Sequence, residues 1–296
     1  MMKKIALLLP IIAGACWGCM GLFIRTLYAE GFDNITITFS RLVVTVVMLA
    51  IYMAIFDRDA FRISKRDFGL VAFAGFVGFF LLNMCFNISM NSLSMSLAAV
   101  LLCTSPVYVI VLGTIFFKEK ITKTKIICMT AALFGCALLS GILDGGGIQW
   151  SLFGLAMGIG SAIFNAIYTV ASNEATNNRK CTAITILFYA TLVAVVFMLP
   201  FTDYALIGEY LQEEPLYHGM FYFAHSFVTS LLPNLVFIIA LKLVDSGVVA
   251  ILAAGAEPTT AMILGMLVYK EIPTFWGLLG MIITIGAMIK LTRSSE

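Results

Sequence analysis

Long apolar runs alternate with short polar breaks along the whole chain. Ten runs reach the roughly 20 residues that a helix needs to cross a bilayer core. They cover 5–24, 35–56, 68–88, 93–117, 126–143, 152–171, 182–201, 220–241, 247–269 and 273–291. Run length predicts helices; barrel strands would be about 10 residues long with alternating polarity. Arg41 interrupts the second run and Glu257 the ninth, and both runs stay long enough to span.

Composition points the same way. Of 296 residues, 61% are hydrophobic and 11% charged, with mean hydropathy +1.03. A soluble domain carries about 25% charged residues. The pattern excludes an ordinary soluble globule, a disordered chain and a disulfide scaffold. A net charge of +2 gives no basic patch for nucleic acid.

Sorting the 18 Lys and Arg residues fixes an expected orientation. With the N-terminus inside, 15 of them fall on the cytoplasmic side, among them Arg58, Arg62, Lys65, Lys118, Lys123 and Lys242. Only Arg25 and Lys270 fall outside, and Arg41 lies within a span. The excess of positive charge inside predicts a multi-pass protein of the cell (plasma or inner) membrane, with both termini cytoplasmic. The seven cysteines lie in spans or beside an inner loop, so no disulfide framework is expected. Cys16 and Cys19 have CxxC spacing, read as small packing residues.

The two halves repeat. Pro106, Gly113 and Glu119 in the fourth span match Pro258, Gly265 and Glu271 in the ninth, each pair 152 residues apart. Asn83 and Asn234 open similar stretches, and Gly14/Gly18 and Gly154/Gly158 share GxxxG spacing. Five spans is an odd number, so the second copy enters from the opposite side. Such inverted repeats are common in secondary transporters, with substrate held near the midplane. The division expected is a first repeat over 1–145, a linker at 146–150 and a second repeat over 151–296.

These residues resemble the drug/metabolite transporter superfamily, specifically its EamA type. Ala15-Cys16-Trp17-Gly18, Ser40-Arg41-Leu42, Ser105-Pro106 through Lys118-Glu119 and Glu257-Pro258 through Lys270-Glu271 carry the resemblance. It implies an all-α polytopic fold with ten transmembrane helices, arranged as two inverted five-helix EamA repeats around a central cavity. It also implies transport of small organic solutes, often export. Phe164-Asn165 stands where the first repeat has Trp17-Gly18, so the halves differ at positions that could line the cavity.

Glu257 is the sharpest candidate for substrate binding. An ionised carboxylate at mid-span costs about 2.5–3.5 kcal/mol on insertion scales, and such residues usually face a cavity. Pro258 beside it frees a backbone carbonyl. Glu257 reads as a cation-binding or proton-accepting group, against the alternative of a protonated, hydrogen-bonded Glu. Arg41, six residues into its span, reads either as snorkelling to the outer headgroups or as a substrate or Glu257 partner. Opposite charges would suit a zwitterion such as an amino acid. Trp17, Asn83, Asn87, Asn165 and Tyr168 are softer substrate-binding candidates. Pro106, Pro258, Gly113, Gly265, Glu119 and Glu271 read as structural. His218 and His225 have no partner at metal-ligand spacing, so neither a metal nor another cofactor is expected.

No Walker A loop is present, and two His with one mid-span carboxylate make a poor catalytic set, so no enzymatic activity is expected. The expected function is a secondary-active carrier, an exporter of amino acids or amines working by alternating access. Its partners would be a small-molecule substrate, the lipid bilayer and a coupling ion such as a proton, with no nucleic acid; the oligomeric state is not legible. The alternatives are uptake of an organic cation or nucleobase-like compound, a channel, or an intramembrane enzyme.

Overall fold

The computed structural model describes residues 2–93, 95–140 and 151–295. The linker expected at 146–150 lies outside them. Every regular element among the described residues is helical. Nine helices are long and apolar enough to cross a membrane. A tenth, Lys123–Leu139, has 17 residues up to the undescribed stretch, within the range that can span. The ten are α1 (Ala6–Ala29), α2 (Asn34–Phe56), α3 (Lys65–Ser92), α4 (Leu97–Phe117), α5 (Lys123–Leu139), α6 (Leu152–Asn177), α7 (Ala183–Phe201), α8 (Pro215–Leu243), α9 (Ser246–Val268) and α10 (Phe275–Ser295).

Side-chain caps set several boundaries. Asp33, Ser64, Thr122, Ser151, Thr182 and Asp245 each accept a hydrogen bond from a backbone N–H in the first turn that follows. Those N–H groups have no partner within the helix.

The repeats are visible in the packing. α1 packs on α9 and α8, and α6 packs on α4 and α3. α3 meets α7 as α8 meets α2, while α2–α7, α4–α9 and α5–α10 pair across the molecule. This set of pairings is unchanged when each helix is exchanged for the one five places along. Five is odd, so α1 and α6 run in opposite directions, and the two-fold axis that relates them lies across the helices. Leu7 and Leu291 share one core cluster with Cys128 and Val248. The starts of α1, α5 and α9 and the end of α10 therefore lie at one end of the bundle, called here the terminal face.

Local irregularities repeat as well. α3 contains a π-helical stretch at Phe76–Leu81 and α8 another at Phe227–Leu231. Asn83 donates to the Phe79 carbonyl (2.6 Å) and Asn234 to the Ser230 carbonyl (2.7 Å). Each amide thus sits on a carbonyl that the widened turn disturbs. At the ends of α4 and α9, Lys118 (φ 56°) and Lys270 (φ 55°) are left-handed. The following glutamates then donate their N–H groups back to the Gly113 and Gly265 carbonyls, at 3.3 and 3.2 Å. A Cβ at Gly113 would come 2.8 Å from Glu119 Oε2, so the glycine leaves room for the carboxylate to fold over the helix. The repeated Gly–Glu spacing is thus a C-terminal capping device.

Two features depart from the expected spans. α8 begins at Pro215 rather than near residue 220. A short helix, Tyr204–Glu213, precedes it and buries Tyr210 against Phe32 and Tyr222, opposite the terminal face.

Candidate functional site

α1, which runs back to Met2, is interrupted near its middle by a single turn residue, Cys19, between Met2–Gly18 and Met20–Ala29, and Cys19 keeps right-handed helical dihedrals and its bond to the Ala15 carbonyl. The break at Cys19 lies against the middle of α9. A Cβ at Gly18 would come 2.5 Å from the Glu257 carbonyl oxygen and 2.8 Å from Thr260 Cβ. Small residues allow this approach, the usual means of close packing in membranes. Broken helices at mid-membrane are where transporters commonly hold their substrates.

Glu257 is the twelfth of the 23 residues of α9 and is partly buried. Pro258 cannot donate to the Ala254 carbonyl four residues back; the Cys136 thiol of α5 faces that oxygen instead, at 3.8 Å. The carbonyl freed by the proline is therefore met by protein. Arg41 is buried at 7% exposure, so it does not snorkel. Its Nη1 lies 3.3 Å from the Met20 sulfur, just past the break in α1, and its Nε has no partner. Arg41 and Glu257 are within electrostatic reach of one another. Among the described residues, however, they form no ion pair within 4.0 Å.

The softer candidates are spread out. Trp17 packs on Phe237 of α8, ring centroids 5.4 Å apart. Tyr168 is buried against Phe79 at 5.1 Å, with its hydroxyl unpartnered. Asn87 accepts from Asn34 at 3.0 Å, and Asn34 in turn bonds the Tyr28 hydroxyl, far from the terminal face. Asn83 caps its own helix, as described above. Asn165 lies partly buried on α6, its carbonyl taken by Thr169. Glu119 bonds to Ser246, and Glu271 pairs with Arg25 at 2.6 Å where both are about half exposed.

Two groups of residues went unread in the sequence. Asn173 and Asn177 line a cavity of about 530 Å³ that opens at the terminal face between α4, α6, α8 and α9. Asn177 donates to the Leu241 carbonyl at 2.9 Å. The polar spacing Asn165, Thr169, Asn173, Asn177 marks one helix face, and that stripe was the available signal. His225 is the other. It is fully buried, with both ring nitrogens unpartnered and its ring stacked on Phe23 at 4.9 Å.

Two inverted five-helix units thus meet at the middle of the bundle, where α1 is interrupted and the buried Arg41 and partly buried Glu257 lie near it. The model of the EamA-like transporter family matches twice, over residues 4–141 and 152–293. The chain belongs to the EamA-like transporter family. Among its relatives, the uncharacterized transporter YdfC of Bacillus subtilis (strain 168) is 26% identical over 235 residues, 75% of this chain and 71% of that one. The uncharacterized transporter YetK of the same organism is 24% identical over 258 residues, 83% of this chain and 74% of that one. A crystal structure 14% identical in sequence superposes on this EamA-like chain with TM-score 0.77, covering 98% of this chain and 97% of its own. That likeness concerns the fold alone.

Proposed function

We propose that this EamA-like transporter is a secondary-active exporter of small amine-bearing metabolites, amino acids among them, working by alternating access. Glu257 carries the reading. A carboxylate at the middle of a spanning helix, beside the turn in α1 and with no cation within 4.0 Å among the described residues, suits an ammonium group or a coupling proton. The exchangeable pairings of the two repeats supply the second half of the mechanism. Each repeat can take up the arrangement of the other, which moves the opening to the opposite face. The division into repeats over 1–145 and 151–296 is part of this reading, and so is substrate contact by Arg41 and by the amide-lined path from the terminal face.

The terminal face is taken as cytoplasmic, with the protein in the cell membrane. Labelling of Ser64→Cys in a cysteine-light background tests this: an impermeant reagent should leave it unmodified in intact cells. Counterflow tests the function. Proteoliposomes loaded with an unlabelled mixture of amino acids and biogenic amines should accumulate a labelled member of that mixture saturably. Leakage of the label that never saturates would favour a channel, and no movement of any amine-bearing solute would reject the carrier.

A further inference from the structure

We infer that Arg41 and His225 form an anion-recognising subsite that receives the carboxylate of a zwitterionic substrate, so that amino acids are bound in preference to their decarboxylated amines. This rests on the carrier reading above and adds a residue and a selectivity that the reading does not require.

Buried guanidinium groups are expensive unless paired and hydrogen-bonded. Arg41 has only a thioether contact and an unpartnered Nε, and no carboxylate lies within ion-pair distance among the described residues. His225 of α8 lies within electrostatic reach of it, on a helix that packs directly against α2. Phe23 fixes the imidazole plane by stacking, and both ring nitrogens are without a partner among the described residues. On the same helix, Tyr222 at i−3 reaches toward Ser40 of α2, and Ser226 at i+1 carries a buried hydroxyl without a partner among the described residues. Buried polar atoms without partners are rare. A buried guanidinium without a counter-charge, with an unpartnered imidazole and hydroxyl on the facing helix, matches a missing anion with several acceptor oxygens. A carboxylate supplies these, accepting from the guanidinium fork and from an imidazole N–H.

The pseudo-symmetry argues against a purely structural role. Asp33 and Thr182, the caps of α2 and α7, are 149 residues apart, which sets Arg41 against Ala190. The π-helical stretches start 151 residues apart, which sets His225 against Ala74. Ala74 and Ala190 are both fully packed, and a Cβ at neighbouring Gly75 would run into the Ala190 backbone. The same helix crossing is therefore sealed by small apolar residues in one copy, so the fold itself does not need a charge there. Glu257 faces Arg41 from α9 at longer range. The two sites can then take the two ends of one zwitterion.

The test uses the purified full-length protein in nanodiscs. Its probes are individual amino acids, each compared with its decarboxylated amine and its carboxamide. At least one amino acid should raise the unfolding temperature and bind at least about tenfold more tightly than its amine and amide, the scale of one lost charge-assisted hydrogen bond. Arg41→Gln and His225→Phe should each bring the affinity for the amino acid down to within about twofold of that for its own amine, measured on the same variant. His225→Phe keeps a ring against Phe23, and Arg41→Gln removes a buried charge, so both are expected to fold. Equal binding of amines and amino acids by the wild type would overturn the subsite and leave the carrier reading standing. So would an amino-acid preference that persists in both variants. Selective binding of amino acids without counterflow would reject the carrier reading and keep the subsite. No stabilisation by any amino acid would overturn the subsite.

Discussion

Glu119, at the end of α4, accepts hydrogen bonds from the Ser246 backbone N–H at 3.0 Å and from its hydroxyl at 2.8 Å, at the start of α9. One residue thus closes the C-terminal turn of a helix in the first repeat with its backbone N–H and caps a helix of the second with its carboxylate. Burial raises the Glu119 carboxyl above the ordinary glutamate range, and the Asp245 charge beside it adds to this, against the lowering effect of the Ser246 backbone N–H. An acid whose folded value is raised stabilises the fold most fully below its unfolded value, about 4.3. That contribution is lost as pH climbs through the elevated value. The Glu119-dependent part of stability should therefore decline as pH rises above about 4.3 and through the elevated value. Glu119→Gln retains an acceptor for Ser246 and cannot titrate. Its unfolding temperature should fall less between pH 5 and pH 7.5 than that of the wild type, in thermal scans at matched ionic strength.

Asp245 bears on the same junction. It pairs with Lys125 of α5 at 2.6 Å and accepts from the Gly247 and Val248 N–H groups at 3.1 and 3.3 Å. Lys125 is buried at 8% exposure. Asp245→Ala removes the helix cap and leaves a buried ammonium without its counter-charge, a loss of about 1–3 kcal/mol or more. Lys125→Met leaves the partly exposed carboxylate to water and to its cap. Asp245→Ala should therefore lower the unfolding temperature more than Lys125→Met, and the double variant, which also removes the stranded ammonium, should recover part of the Asp245→Ala loss. Additive losses in that cycle would show that the pair is not coupled.

The break in α1 invites a steric test. Gly18→Ala drives a methyl group into the Glu257 carbonyl and Thr260. Overpacking of this kind costs about 1–3 kcal/mol. Gly21→Ala meets open space two residues past the break and serves as the control. A large drop in unfolding temperature for Gly18→Ala alone is the expected result; equal effects at both positions would mean that α1 and α9 are not in tight contact there.

How far these relationships could be read in advance depended on the kind of force behind them. Span number, repeat spacing and the glycine contacts were legible because lipid imposes run length, and close helix approach selects small residues. The Pro–Gly–Glu match was visible as a pattern, yet its cause, a left-handed lysine that lets the glutamate fold over the glycine, needed the backbone. Arg41 read equally well as snorkelling or paired, since its depth depends on how α2 is shifted along the bundle; burial against Met20 decides for the interior. His225 carries no local signal, since its only histidine neighbour, His218, is not at metal-ligand spacing. Its significance lies in the packing of α8 on α2, which brings it within electrostatic reach of Arg41, 184 positions earlier, and no local spacing announces that. The longer α8 and the helix Tyr204–Glu213 were missed because Glu213, Glu214 and Pro215 read as a loop, whereas Pro215 occupies a first helical turn, where its missing N–H costs nothing.

Glu257 gives the most consequential prediction. A charged carboxylate at mid-span costs about 2.5–3.5 kcal/mol on insertion scales, and a neutral amide of the same shape costs less. Glu257→Gln should therefore insert and fold with an unfolding temperature no lower than that of the wild type, leaving function to report on the charge. If the carboxylate binds the substrate ammonium, the variant loses ligand-induced stabilisation and counterflow together, and Glu257→Asp recovers part of both. If it carries the coupling proton, counterflow at equal pH on both sides persists. Uphill transport driven by a pH gradient then disappears. The two roles separate in one preparation, by measuring exchange and gradient-driven accumulation on the same proteoliposomes. Wild-type rates with an unchanged pH profile would reduce Glu257 to a structural group, leaving Arg41 as the remaining buried charge at the break in α1.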